Sequence, residues 1–285
     1  MNMNNHRINS GLTDFDNTTD GIAGGQLITI AGRPATGKTA FAITLMVNIG
    51  IEQQIPVAFF AIEMDNIRIV KRILKNWSFY DFDCQSVNSE DIKHTNYQQE
   101  LCKLSKSPIY LDDTPSISID EMESRINNLI SFYGVKLVII DYFQLIKGFE
   151  VSYDEIMKRL KALAVERDIC IINLSQLYKN FNPLELCEFH EADFRDATKA
   201  LMSNSDTVAL LYRPELSDYT KPGNLAELKI LKGHQNDTIQ LTFFPDFAKF
   251  TNRDSGECDI KKSKVVDVIR NQSELEEWQR KIGLI

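Results

Sequence analysis

Short apolar runs recur along the first two thirds of this chain, separated by longer segments of helical character. The runs are Leu27 to Ile30, Val57 to Ile62, Ile109 to Leu111, Val135 to Ile140 and Ile169 to Leu174. Four to eight apolar residues without polar alternation suit strands buried on both faces. Helix-like stretches span roughly 38–52, 65–78, 118–132 and 153–166. The alternation predicts an α/β fold, a mostly parallel sheet flanked by helices. Past residue 205 the pattern changes: Thr207 to Tyr212, Ala226 to Leu231 and Thr238 to Phe244 read as consecutive strands with polar turns. An antiparallel C-terminal extension of the sheet is therefore expected. The segment 80–107 is polar and takes no clear assignment, and 179–198 reads as a loop. Near the end, SELEEWQRKI places Ser273 and Glu276 at capping-box spacing and predicts a terminal helix. The expected organisation is a flexible tail over 1–10, one domain over 11–252 and a C-terminal tail over 253–285.

Composition narrows the class. With 285 residues, 43% hydrophobic and 25% charged, the chain can bury a sizeable core. No apolar run approaches the roughly 20 residues of a membrane span, and the polar start MNMNNHRINSG shows no leader, so no membrane association is expected. Five widely spaced cysteines without a C-x-x-C pair argue against disulfides and zinc and make the cytoplasm the natural compartment. The net charge of −8 excludes a protein that coats nucleic acid with its whole surface. Any nucleic-acid site must be a local basic patch or one assembled between subunits.

The strongest chemical signal is GRPATGKT, which fits G-x-x-x-x-G-K-[ST] between a strand and a helix. Gly32, Arg33, Pro34, Ala35, Thr36, Gly37, Lys38, Thr39 and Ala40 form the candidate nucleotide-binding segment. Glycines let such a loop wrap its N–H groups around phosphates, and the helix N-terminus adds partial positive charge. Lys38 is placed to reach the β- and γ-phosphates, and the Thr39 hydroxyl to ligate Mg²⁺. The bland alternative is a glycine turn before a helix. A metal needs an acidic partner, and Asp141 ends the most apolar strand, VKLVIIDY, at the edge that faces the phosphates. Glu63 ends VAFFAIEM at the same edge, where a carboxylate can orient the attacking water and accept its proton. Gln176, after ICIINLSQ, can touch the γ-phosphate. Their structural alternatives are a turn aspartate, a helix-leading acid and a polar strand end. The pair Asp112 and Asp113 reads as a helix-leading turn rather than a second metal site, and Trp77 and Trp278 as packing residues.

Taken in order, these elements resemble the motor domain of the DnaB-type hexameric replicative DNA helicases, a branch of the RecA-like P-loop ATPases. The likeness runs from about residue 10 to 250, through SGLTDFDNTTDGIAGGQLITIAGRPATGKTAFA, VAFFAIEMDNIRIVKR, IYLDDTPSISIDEM, LVIIDYFQLI, RLKALAVERDICIINLSQL and SDTVALLYR. The resemblance implies a RecA-like P-loop core that binds ATP and Mg²⁺ between neighbours of a homo-oligomeric, usually hexameric, ring. It makes Glu63 the catalytic base, Asp141 the metal-holding acid and Gln176 the γ-phosphate sensor. It matches Arg72 to an arginine of the helix after the catalytic glutamate, and Arg213 to a position near the nucleotide base. Single-stranded DNA and a helicase loader or other replication protein are the partners it implies.

The sequence departs from that family pattern in three places. Only about ten residues precede the match, so the family's N-terminal helical domain is not expected in this chain. Where the family carries Lys-x-Arg-Asn-Gly, this chain reads KILKGHQND, keeping Lys232 but placing His234 at the finger arginine. Lys232 and His234 are the trans-acting candidates, although His234 also reads as a plain turn residue. The segments KGFEVSYDE after Asp141 and YKNFNPLELCEFHEADFRD after Gln176, usually basic DNA-channel loops, are acid-rich. Two functions follow as expectations: an ATP-dependent DNA helicase or translocase, and a RecA-like ATP-binding accessory subunit that has lost translocation.

Overall fold

The structure is a computed structural model and describes residues 7–78, 95–147, 152–177, 196–216, 219–235 and 237–253. The expected terminal helix, Trp278, residues 148–151 of the first acid-rich segment, nearly all of the second and Cys84, Cys187 and Cys258 lie outside these residues.

Nine strands form one sheet: β1 (Leu27–Gly32), β2 (Val57–Ala61), β3 (Ile109–Asp112), β4 (Leu137–Asp141), β5 (Cys170–Gln176), β6 (Thr207–Tyr212), β7 (Leu225–Lys232), β8 (Thr238–Phe244) and β9 (Lys249–Asn252). Their order is β3-β2-β4-β5-β1-β6-β7-β8-β9. The pairs from β3 to β6 are parallel, and those from β6 to β9 antiparallel. Every residue of β1, β2 and β4 is buried, which is why these strands read as unbroken apolar runs. In β8 buried and more exposed positions alternate, as in an antiparallel strand with one solvated face.

The period of two divides the central strands between two cores. Ile28, Ile30, Phe59, Ile139 and Ile172 face one layer with α2 (Lys38–Met46) and α3 (Asn66–Ser78), where Leu101 and Leu104 of α4 (Thr95–Lys106) also pack. Leu27, Phe60, Val138, Ile140 and Ile171 face the other, with α5 (Ile119–Tyr133), α6 (Tyr153–Arg167) and α7 (Asp196–Asn204). Burying a side chain such as Phe59 or Phe60 contributes about 1.5–3 kcal/mol. Ser118 and Ser152 cap α5 and α6, accepting from the N–H groups of Glu121 and Glu155. Each stands in an S-x-x-E pattern, the spacing that marks a helix start.

Several features differ from the sequence expectation. The helix expected over 38–52 is α-helical to Met46 and continues as a π-helix over Val47–Glu52. α1 (Thr13–Thr19) and β9 had no sequence signal, and α4 falls inside the unassigned stretch. The loop expected over 179–198 already becomes α7 at Asp196. Residues 7–10, placed by sequence at the end of a tail, join the domain: Ile8 bridges Ile22, and the Ser10 N–H donates to Asp16.

Candidate active site

β1 delivers the chain into the loop at Gly32, and α2 begins at Lys38. The glycines are required by space and by conformation. A Cβ on Gly32 would lie 2.8 Å from the Thr36 hydroxyl and 2.9 Å from the Leu211 carbonyl. Gly37 has φ of +97°, a region that residues with a Cβ avoid. Lys38 is only 8% exposed and folds back into the loop, its Nζ donating to the carbonyls of Gly32 and Arg33, each at 2.9 Å. Burial lowers its pKa to about 8, partly opposed by the negative charges of Asp141 and Glu63.

The Thr39 hydroxyl donates to Asp141 Oδ2 at 2.7 Å, joining the first turn of α2 to the last residue of β4. Asp141 is 3% exposed. Burial raises its pKa to about 6; the Thr39 bond, Lys38 and Arg72 pull down, while Glu63 pushes up. The pairing of β2 with β4 runs on past the strands, the Ile62 N–H donating to the Asp141 carbonyl at 3.0 Å. That brings Glu63 to the edge where Asp141 ends, exposed to solvent. Gln176 closes β5 directly opposite Gly32.

Arg213 follows β6 at the same edge. Its guanidinium lies 4.4 Å from the Phe243 ring centre, and its Nε donates to Glu215 at 2.7 Å. Phe243 packs at 4.5 Å on Phe250, whose ring would be 3.1 Å from a Cβ on Gly37. The antiparallel extension thus buttresses the loop from one side and carries Arg213 to its rim. Lys232 and His234 sit elsewhere. Lys232 pairs with Val208 at the start of β6, next to the start of β1, and its Nζ donates to the Met202 carbonyl of α7 at 2.8 Å. His234 is exposed in the following turn. Both lie at the sheet edge opposite the loop, so neither reaches its own chain's Lys38.

The aspartate pair is structural. Asp113 accepts the Asn66 N–H at 2.8 Å at the start of α3, and Asp112 pairs with Arg125 at 2.6 Å. Burial works to raise the Asp112 pKa, but its bonds to Thr114 and Arg125 bring it below the ordinary value. Trp77 packs partly buried against the core, its indole N–H donating to Glu52. One participant escaped the sequence reading: Gln144, in the turn after β4, bonds to Ser175 and to the main chain of Gln176. The aromatic pair behind Gly37 also escaped it, because nothing local in sequence links Phe243 to residue 37.

The residues suit a magnesium–nucleotide complex. A hydroxyl and a carboxylate in mutual contact offer the hard oxygens that Mg²⁺ prefers. The loop leaves no room for a Cβ at Gly32, and its buried lysine suits a partner of opposite charge.

Residues 7–252 match the DnaB-like helicase C terminal domain family. The replicative DNA helicase DnaC of Bacillus subtilis is 31% identical over 265 residues, covering 86% of this chain and 56% of that protein. DnaB of Geobacillus stearothermophilus is 31% identical over 267 residues, with the same coverage. The chain therefore spans little more than half the length of these relatives. A solved structure of an ATPase domain superposes with a TM-score of 0.73 at 24% identity, covering 86% of this chain and 90% of that one. A DnaB-like replicative helicase, solved in a study of its interactions with primase, gives 0.73 at 25% identity over 86% of this chain and 61% of its own.

Proposed function

This chain belongs to the DnaB-like helicase C-terminal domain family, and we propose that it is an ATP-hydrolysing motor that moves along or unwinds DNA as a homo-oligomeric, hexameric ring. The observation that carries this reading is the 2.7 Å contact of Thr39 with Asp141, with Lys38 buried beside them. It joins the phosphate loop to the acid that a phosphoryl-transfer site needs. Relatives named as replicative DNA helicases support the same reading.

Lys38 would exchange its two loop carbonyls for β- and γ-phosphate oxygens of ATP. Thr39 and Asp141 would hold Mg²⁺, which when bound neutralises charge on those oxygens. Glu63 would accept a proton from the water that attacks the γ-phosphorus, as the bond to the β,γ-bridging oxygen breaks and ADP leaves. Gln176 would register the γ-phosphate, and Arg213 would flank the base. Lys232 and His234, at the far edge of the sheet, suit a role on the site of the adjoining subunit. Histidine lacks the guanidinium fork that spreads developing phosphoryl charge, so slow turnover is expected. Single-stranded DNA and a loading or other replication protein are the proposed partners.

A motor of this kind must assemble. Light scattering on the full chain with Mg²⁺ and a non-hydrolysable ATP analogue, with and without single-stranded DNA, should give the mass of a ring. A monomer under every condition would contradict the proposal.

A further inference from the structure

β4 and β5 run side by side from Leu137 opposite Cys170 to Ile140 opposite Asn173. Beyond that point β4 no longer pairs with β5: it stays on β2 through Asp141 and turns into the 3₁₀ turn Phe143–Leu145, while β5 continues to Gln176. The last residues of β5 would lack a neighbour on the β4 side. The side-chain amide of Gln144, inside that turn, takes the neighbour's place. Its Nε2 donates to the Gln176 carbonyl at 3.1 Å and to the Ser175 hydroxyl at 2.9 Å, and its Oε1 accepts the Gln176 N–H at 3.4 Å. On the other side Gln176 lies opposite Gly32, and the Leu177 N–H donates to the Gly32 carbonyl at 3.0 Å.

A primary amide offers a donor and an acceptor from one group, which is what a bare strand edge requires. The effect is a two-sided clamp: the first glycine of the phosphate loop holds one side of Gln176, and the turn that follows Asp141 holds the other. We propose that Gln144 is a positioning residue for the γ-phosphate sensor, coupling the metal-side end of β4 to Gln176 so that the two respond to nucleotide together. This assignment rests on the ATPase reading above. It gives Gln144 no contact with substrate; its action passes through the main chain of residue 176. Gln144 bonds to the end of β5 and to no residue of the loop around Lys38, so its loss should affect turnover and leave nucleotide binding nearly unchanged.

The test is a double-mutant cycle in steady-state ATP hydrolysis, with thermal unfolding recorded for each variant. Gln144→Leu keeps the bulk and removes all three bonds. Its kcat should fall about 10- to 100-fold, the scale of loss when a reacting geometry shifts by about 1 Å, with KM for ATP within about twofold. Joined to Gln176→Ala, it should slow turnover no further than Gln176→Ala alone, because both changes act through one residue. Gln144→Glu is the second variant, should Leu impair folding. It keeps the acceptor for the Gln176 N–H and loses the N–H donor to the Gln176 carbonyl and the Ser175 hydroxyl, and its kcat should fall likewise. Unchanged kcat in a folded Gln144 variant, or losses that multiply in the double variant, would overturn the clamp. Wild-type turnover no faster than Lys38→Ala would remove the ATPase reading and the clamp together; normal wild-type turnover with an unaffected Gln144→Leu removes the clamp alone.

Discussion

Asp141 holds a carboxylate where the protein alone would favour an uncharged group, so Asp141→Asn should stabilise the protein while disabling it. Burial raises the Asp141 pKa to about 6 from an ordinary 3.8. The folded carboxyl keeps its proton up to that pH, whereas the unfolded one releases it near 4. The ionisation penalty is therefore absent below about pH 4, grows as pH rises from 4 to 6 and is complete above. A gap of about two pH units corresponds to about 3 kcal/mol at about 1.4 kcal/mol per unit. Asparagine keeps an acceptor for Thr39, but a buried amide N–H left without a partner costs about 1 kcal/mol or more. A net gain of about 1–2 kcal/mol at pH 7.5 follows, or a rise in Tm of about 2–8 °C for a domain of this size. The assay is thermal unfolding of both proteins from pH 7.5 down to 4.5, free of nucleotide and then with Mg²⁺ and ATP. The gain should shrink steadily as pH falls. Added Mg²⁺ and ATP should raise the wild-type Tm by more than that of Asp141→Asn, which keeps the phosphate loop and loses one holder of Mg²⁺, because stabilisation follows binding to the folded state. A variant less stable than wild type at pH 7.5, or a gain independent of pH, would show that Asp141 carries no ionisation penalty.

Two further outcomes follow from the same site. Glu63→Gln should bind ATP within about threefold of wild type while kcat falls about 10²–10⁴-fold, the usual contribution of a general base; equilibrium binding and turnover measured together check it, and unchanged turnover removes Glu63 from that role. Lys38, with its pKa lowered to about 8, should regain its full charge when phosphates replace solvent and carbonyls around it. Calorimetry in buffers of different ionisation enthalpy should then show proton uptake on ATP binding above pH 8, and proton release near pH 6, where Mg²⁺ displaces the proton of Asp141. Binding without net proton exchange at either pH would contradict both assignments.

What the sequence reveals of this site is what local chemistry dictates. A loop that must wrap phosphates needs Gly32 and Gly37 at fixed spacing before Lys38 and Thr39, so eight adjacent residues suffice to identify it. Strands buried on both faces betray themselves as unbroken apolar runs, and Asp141 stands out because it ends the most apolar of them. Gln144 does not stand out. In DYFQLI it is one polar residue in a turn, and its place depends on β5 running past the end of β4, a fact of three dimensions. Arg213 and Phe243 meet across 30 residues, and Phe250 meets Gly37 across more than 200, so neither contact leaves a local trace. α1 is hidden for another reason: TDFDNTT is built of residues with poor helix propensity, and packing of Leu12 and Phe15 holds it in place. β9 is four residues at a sheet edge, too short to show a period. The far-edge position of Lys232 and His234 emerges only from strand order.

The proposed DNA-dependent ATPase motor is best tested by steady-state ATP hydrolysis with Mg²⁺, with and without single-stranded DNA, using Lys38→Ala as the blank. Turnover above that blank, raised further by DNA, is the expected result. A rate equal to the blank would contradict the site itself. A rate above the blank that DNA leaves unchanged would contradict the motor and favour an ATP-binding accessory subunit.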